Sequence, residues 1–258
     1  MYLEATGREK TSTGRFLAGA GELTSLFFRT LYWFKAAPRN VRKIADQMVF
    51  VGVESLPITS VMALFVGMVL ALGVSGQLIR FRIVEIMGAI VGMSLIQELG
   101  PAQTAFLIAG RVGAAMAAEI GTMAVSEEID ALKIMAINPI RYLAMPRLIA
   151  CMLMVPILTI YTDIVGMFGG CIIANTYAGV PPDVFFHSAW NAISFDLIWK
   201  SLLKSMCFGS IVGTVGCYMG FITYGGAEGV GRSTTRSVVV SFMLILVANF
   251  FLTRFLFK

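Results

Sequence analysis

Four segments of this chain are apolar runs long enough to cross a bilayer: residues 56–79, 148–175, 197–223 and 237–257. A span needs about 20 predominantly apolar residues. Inside hydrocarbon every backbone polar group must be paired within the segment, so such runs fold as helices. Composition agrees: hydrophobic residues make up 57% of the chain and charged residues 14%, where a soluble domain carries about 25% charged residues. The sequence therefore predicts an all-α integral membrane protein.

The region 83–122 is harder to divide. As one helix it would be about 60 Å long, twice the hydrocarbon thickness, and Gly100-Pro101 interrupts it after Gln97-Glu98. Charge bias decides the count of crossings. Lys35, Arg39, Arg42 and Lys43 place segment 35–47 on the cytoplasmic side, and Arg232 and Arg236 do the same for 224–236. Segment 176–196 has no Lys or Arg and belongs outside. Segment 123–147, with Lys133, Arg141 and Arg147, then lies inside. Only one net crossing fits between residues 80 and 122. The expectation is five spans, with 83–97 a short or re-entrant helix leading into a span at 100–122, an inside N-terminus and an outside C-terminus.

Residues 14–34 place Phe16, Ala20, Leu23, Phe27, Leu31 and Phe34 within an arc of roughly 80° at helical spacing. Arg15, Glu22, Ser25 and Arg29 fall opposite, with Leu26 and Trp33 intruding on the polar side. This reads as an amphipathic helix lying in the membrane interface. The N-terminal residues lack the apolar core of a cleaved signal peptide. The net charge of +5 is spread over span ends and loops, which marks membrane anchoring and not nucleic-acid binding. Cys151, Cys171, Cys207 and Cys217 all sit in apolar runs without CxxC spacing, as packing residues. His187 is the single histidine, which removes most metal and His-based catalytic schemes.

Segment 123–147 (MAVSEEIDALKIMAINPIRYLAMPR) carries the most local information. Ser126 reads as an N-cap, and Glu127, Glu128 and Asp130 place negative charge on a first helical turn. Ile129, Leu132 and Ala136 share one face. Asn138-Pro139 ends that helix and starts another. A capped helix over 126–137, acidic at one end and apolar on one side, fits either a plain connector or a helix that docks in a groove of a soluble partner. With Leu132 its expected anchor, the apolar face would need such a groove.

Within the spans, Glu98 is the sharpest residue, since an unpaired carboxylate at bilayer depth costs several kcal/mol. It faces a cavity or caps a helix break. Arg80 and Arg82 at the end of the first span, with Gln77 beside them, suit interfacial anchoring or headgroup contact. Arg111 and Asp163 are expected either to pair between spans or, for Arg111, to snorkel. Lys200 and Lys204, one turn apart, are expected to snorkel outward, with lining the path the alternative. Gly209, Gly213, Gly216 and Gly220, and Gly113, Ala117 and Gly121, give flat faces for close helix packing.

The run QELGPAQTAFLIAGRVGAAMAAEIGTMAVSEEIDALKIMAINPIRYLAMPR, residues 97–147, closely resembles the MlaE/YrbE permease family associated with MCE-domain lipid transporters. The resemblance extends over the whole chain in length and order of spans. It implies a permease subunit of an ABC transporter that moves phospholipids between the Gram-negative inner membrane and periplasmic carriers, maintaining outer-membrane lipid asymmetry. The implied partners are a second permease copy, two MlaF-like ATPases that bind ATP and Mg, a small MlaB-like STAS protein and a periplasmic MlaD-like MCE hexamer. The implied lipid site comprises Gln97, Glu98, Arg80 and Gln77. The helix at 126–137 would be the coupling helix, through Glu127, Glu128, Asp130, Leu132 and Met135. No catalytic residue, metal or cofactor is expected in this chain. It has no GxxxxGK[ST] phosphate loop, so ATP hydrolysis would belong to another subunit. The competing classes are a stand-alone secondary transporter or channel, which would show repeated polar groups or an internal repeat, and an intramembrane enzyme, which would need paired catalytic groups at depth.

Overall fold

The structure, a computed structural model, describes residues 12–35 and 40–257, with the side chains of 12–18 left aside. Arg15, Phe16 and Arg39, used in the sequence reading, therefore lie outside the described side chains. The described residues form eleven α-helices: α1 (Ser12–Tyr32), α2 (Val41–Val51), α3 (Leu56–Phe81), α4 (Met87–Ser94), α5 (Gly100–Ile108), α6 (Ala114–Val125), α7 (Glu128–Ile134), α8 (Met145–Ala178), α9 (Pro182–Ala192), α10 (Phe195–Phe221) and α11 (Gly226–Leu256). Five helical stretches are long and apolar enough to cross a membrane: Val41–Phe81, Val84–Val125, Ile140–Ala178, Phe195–Phe221 and Gly226–Leu256. Their alternation leaves α7 at one end of the bundle, with α1 beside it, and α9 at the other.

The region 83–122 differs from expectation. Helix continues from Val84 to Val125 without re-entry. Gly100-Pro101 does not break it, because a π-turn at Leu95–Leu99 precedes the proline and a second at Ala109–Gly113 follows. Wider turns absorb the step that Pro101 would otherwise force. The first turns of α4 pack on α9, where Ala89 N–H donates to Ser188 Oγ at 3.3 Å.

Close helix contact comes from small residues. A Cβ on Gly67 or Gly169 of the α3–α8 seam would strike the facing backbone of Gly166 or Leu64. Gly209 and Gly220 of α10 lie as closely on Cys151 and Ile120. Such stripes let dispersion and packing hold helices where no hydrophobic drive exists. The core around α5, α8 and α10 is Val51, Ile108, Val112, Met116, Val155, Phe208 and Val212. All four cysteines are free thiols, and three are buried. By contrast α11 carries an outward stripe that includes Met243, Leu246, Val247, Phe250 and Phe251, each more than half exposed.

Helix α1 uses its two faces in a way the pattern half conceals. Leu26, the intruder on the polar side, packs against the cluster of Ile120, Ile129 and Leu143. Glu22 on the same side accepts a 2.9 Å hydrogen bond from Tyr218 Oη. The polar side thus turns toward the protein, across a groove of about 1110 Å³ between α1, α7 and α10. Phe28 and Leu31 remain exposed.

Candidate functional site

Glu98 sits in the π-turn at Leu95–Leu99. Three side chains from two other spans converge on it. Lys204 Nζ of α10 donates to Glu98 Oε2 at 2.8 Å, and Asn249 Nδ2 of α11 donates to the same oxygen at 3.1 Å. Thr253 Oγ1, one turn beyond Asn249, donates to Glu98 Oε1 at 2.7 Å. Lys204 makes two further bonds, to Thr253 Oγ1 at 2.8 Å and to the carbonyl of Gln97 at 3.1 Å. Its ammonium therefore spends its three donors on three acceptors, and its side chain is wholly buried.

This overturns the outward, snorkelling Lys204. Nine residues into α10, it lies about 14 Å along the helix, too deep to reach headgroups easily, and an inward carboxylate is at hand. Lys200 pairs instead with Asp196 one turn earlier, at 2.6 Å. The Glu98 carboxylate remains partly open to a cavity of about 550 Å³. Gln97, Glu98, Asn249, Thr253 and Arg254 give it a polar wall, and Leu246, Phe250 and Phe257 an apolar one. Such a cavity presents hydrogen-bonding groups and a charge beside apolar surface, which suits an amphiphile.

Gln77 and Arg80 are not part of it. Both are exposed near the end of α3, and neither lines the cavity. Arg82 closes α3 with a left-handed φ of 59°.

Arg111 and Asp163 do not pair. Arg111 reaches toward the α7 end, where it bonds Glu54 Oε2 at 2.8 Å, Ser55 Oγ at 2.7 Å and the Phe50 carbonyl at 3.1 Å. Its partners come from the start of the first long helix, which sequence separation hid. Asp163 is buried on α8, its Oδ1 without a hydrogen-bond partner.

At the other end of the bundle, α7 runs from Glu128 to Ile134. Ser126 is not its N-cap. It ends α6, its hydroxyl lying 2.9 Å from Thr122 O and 3.0 Å from Glu128 Oε1, which share its one proton. Glu127 takes the cap position with φ 60°. Lys133 Nζ bonds Asp130 Oδ1 at 2.7 Å, and this ammonium holds the carboxyl below the usual aspartate range. The pair is solvent-exposed and adds little stability. Asn138 does cap the next helix, its Oδ1 accepting from Ile140 N–H at 3.0 Å.

The face of α7 that carries Ile129, Leu132 and Ala136 is shared between the chain and its surroundings. Ile129 is buried, Leu132 is partly buried against the cluster of Ile129 and Leu143, and Ala136 is exposed. The exposed apolar groups are Ile134, 86% exposed, and Met135, 60% exposed. Glu127, Glu128 and Asp130 are exposed beside them.

A family described as Permease MlaE matches residues 44–255. The chain belongs to the MlaE permease family. Full-length relatives of this MlaE-family permease carry the same kind of name. A probable ABC transporter permease protein of Synechocystis is 44% identical over 85% of this chain and 83% of its own length. One of Pyropia yezoensis is 37% identical over 90% of this chain and 89% of its own. One of Rickettsia typhi is 35% identical over the whole of both chains. With five apolar spans, this is a multi-pass membrane subunit of an ABC transporter.

Proposed function

We propose that this MlaE-family permease moves phospholipids between the inner membrane and periplasmic MCE-type carriers, so maintaining outer-membrane lipid asymmetry, and that Glu98 stands in the lipid path. The observation that carries this reading is the Glu98–Lys204 pair, buried at bilayer depth yet forming one wall of an open cavity. A charge pair at this depth is expensive, and purely structural pairing would favour full enclosure. Asn249 and Thr253 keep the carboxylate fixed while leaving it an open side, where the ammonium or hydroxyl groups of a lipid head can approach. Leu246 and Phe250 offer the adjoining acyl surface.

The apolar stripe of α11 beside the cavity supports a homodimer in which a second copy closes the path. At the other end, exposed Ile134 and Met135 with the acidic first turn of α7 support docking on an ATPase that binds ATP and Mg, of the MlaF type. Glu127, Glu128 and Asp130 would set its orientation more than its affinity. An MlaB-like STAS protein and an MlaD-like MCE hexamer complete the proposed assembly. Gln77 and Arg80, exposed at the α9 end, suit contact with headgroups or with the periplasmic partner.

The test is ATP-dependent transfer of a fluorescent phospholipid from proteoliposomes holding the permease and its co-purified ATPase. Glu98→Gln is expected to lower transfer at least about tenfold, the effect of about 1.4 kcal/mol, with assembly intact. Transfer at the wild-type rate would reject Glu98 as a path residue.

A further inference from the structure

The wall of the Glu98 cavity holds two charged side chains, Glu98 and Arg254. They stand in different electrostatic positions. Glu98 is already neutralised by Lys204 at 2.8 Å, and two further donors, Asn249 and Thr253, bond its oxygens. Arg254 follows Thr253 in the last turn of α11 and is exposed. Its guanidinium has no ion pair, hydrogen bond or ring contact among the described residues.

A cation in a last helical turn is favoured by the helix dipole, and one near a membrane surface can snorkel. Either effect accounts for a basic residue at this position. Neither accounts for its place in a cavity wall, beside a carboxylate that another cation has taken. The charges decide what that wall attracts. Glu98 and Lys204 cancel, so Arg254 leaves the site with one uncompensated positive charge. A guanidinium offers its donors in a planar fork that matches the oxygens of a phosphate. A carboxylate has about four acceptor positions, and Lys204, Asn249 and Thr253 take up three of those on Glu98. One neutral donor, such as a hydroxyl, can take the last. An ammonium there would bring a third cation to a site that already holds two.

We infer that Arg254 is the phosphate-binding residue of this cavity, and that it selects phospholipids with a single net negative charge and a hydroxyl-bearing head over zwitterionic ones. The inference rests on the reading of this cavity as one that takes lipid. The phosphodiester bonds Arg254 at the end of α11, and a head hydroxyl reaches the open side of Glu98. The acyl chains lie against Leu246 and Phe250.

Occupancy can be read directly, apart from transport. In the full chain, Trp33→Phe, Trp190→Phe and Trp199→Phe remove the native tryptophans, and Phe250→Trp places a reporter in the cavity wall. The permease sits in nanodiscs of mixed phosphatidylglycerol and phosphatidylethanolamine, with one lipid or the other brominated in its acyl chains. The two quenching curves give the relative affinity at the reporter. Phosphatidylglycerol is expected to bind about fivefold more tightly, a modest value for a charge-assisted hydrogen bond. Arg254→Gln should bring the ratio to about one, and Arg254→Lys, which keeps the charge but not the fork, should retain part of the preference. A reporter at Phe251→Trp, on the outward stripe and outside the cavity, should show no preference. Inorganic phosphate, against chloride at equal ionic strength, should leave the preference intact, because the anion is held as part of a lipid. Equal affinities at Phe250→Trp, a preference for the ethanolamine lipid, or a preference that survives Arg254→Gln would each overturn the assignment. So would the same preference at Phe251→Trp, the mark of general attraction to anionic lipid, or its loss in phosphate, the mark of a site for a free anion. Glu98→Gln separates this inference from the path reading, since it leaves Arg254 in place and the preference should persist. Wild-type transfer by Glu98→Gln with the preference intact would reject Glu98 as a path residue and keep Arg254 as a lipid ligand. Transfer lost in Glu98→Gln, with equal affinities in the wild-type reporter, would keep the path and reject Arg254.

Discussion

Lys204 Nζ donates to the carbonyl of Gln97 at 3.1 Å, inside the π-turn that precedes Pro101. The same ammonium neutralises Glu98. One buried lysine thus ties a carbonyl of the π-turn to the carboxylate next to it. The wider π register carries the helix through Gly100-Pro101, and a side chain from another span adds a bond to that turn, as suits backbone in hydrocarbon.

Removing that lysine leaves the Glu98 carboxylate without its cation. Lys204→Met is expected to destabilise the protein by about 3–5 kcal/mol, the usual effect of breaking a buried pair. Glu98→Gln in the same chain should recover part of the loss, because the neutral amide no longer needs a cation. Thermal unfolding in detergent of the two single variants and the double variant measures this. Strictly additive effects would show that the pair is not coupled.

A second cycle addresses Arg111. Its bonds to Glu54, Ser55 and the Phe50 carbonyl predict a coupling between Arg111→Leu and Glu54→Gln of about 0.5–3 kcal/mol. Arg111→Leu and Asp163→Leu should instead add within about 0.5 kcal/mol, as independent sites do. Coupling to Asp163 and none to Glu54 would reverse the assignment.

What the sequence showed and hid follows from the range of the interactions. The spans were legible because length and apolarity are local properties, and Glu98 because an acid in an apolar run is locally anomalous. Its partners were not, since Lys204 and Thr253 are more than 100 residues away. A signal existed all the same. Asn249 and Thr253 are one helical turn apart in an otherwise apolar span, and Lys204 lies deeper than Lys200, so the three mark polar faces that need one another. The Ser126 cap failed for a different reason: α6 runs on to Val125, and the serine that seemed to open one helix closes its predecessor. Leu132 shows that periodicity identifies an apolar face but not what covers it, which here is in part the chain's own cluster of Ile129 and Leu143.

Sidedness can be read with single cysteines, since the native thiols are buried or half-buried. Asp183→Cys on α9 and Ser126→Cys before α7 occupy exposed positions at opposite ends of the bundle. Membrane-impermeant maleimide on intact inverted and right-side-out vesicles should label them from opposite sides, Asp183→Cys from the periplasmic side. Labelling of both from one side would contradict five crossings.

The last prediction separates the inner face of α7 from its outer one. Leu132 is partly buried against the chain's own cluster of Ile129 and Leu143, so Leu132→Asp sets a charge against an apolar cluster of the permease itself. It should lower yield and melting temperature whether or not an ATPase is present. Ile134 is 86% exposed, so Ile134→Asp removes nothing from the fold and should leave the unfolding free energy within about 0.5 kcal/mol of wild type. If α7 seats in an ATPase groove, burying Ile134 there contributes about 1.5–3 kcal/mol, and an aspartate would both forfeit that and bring a charge into an apolar contact. Co-purification of the ATPase should then fall at least about tenfold for Ile134→Asp, since that energy corresponds to a factor of ten or more. Met135→Asp should act in the same direction, its side chain being 60% exposed. Full recovery of the ATPase with a well-folded Ile134→Asp permease would show that α7 merely joins two spans.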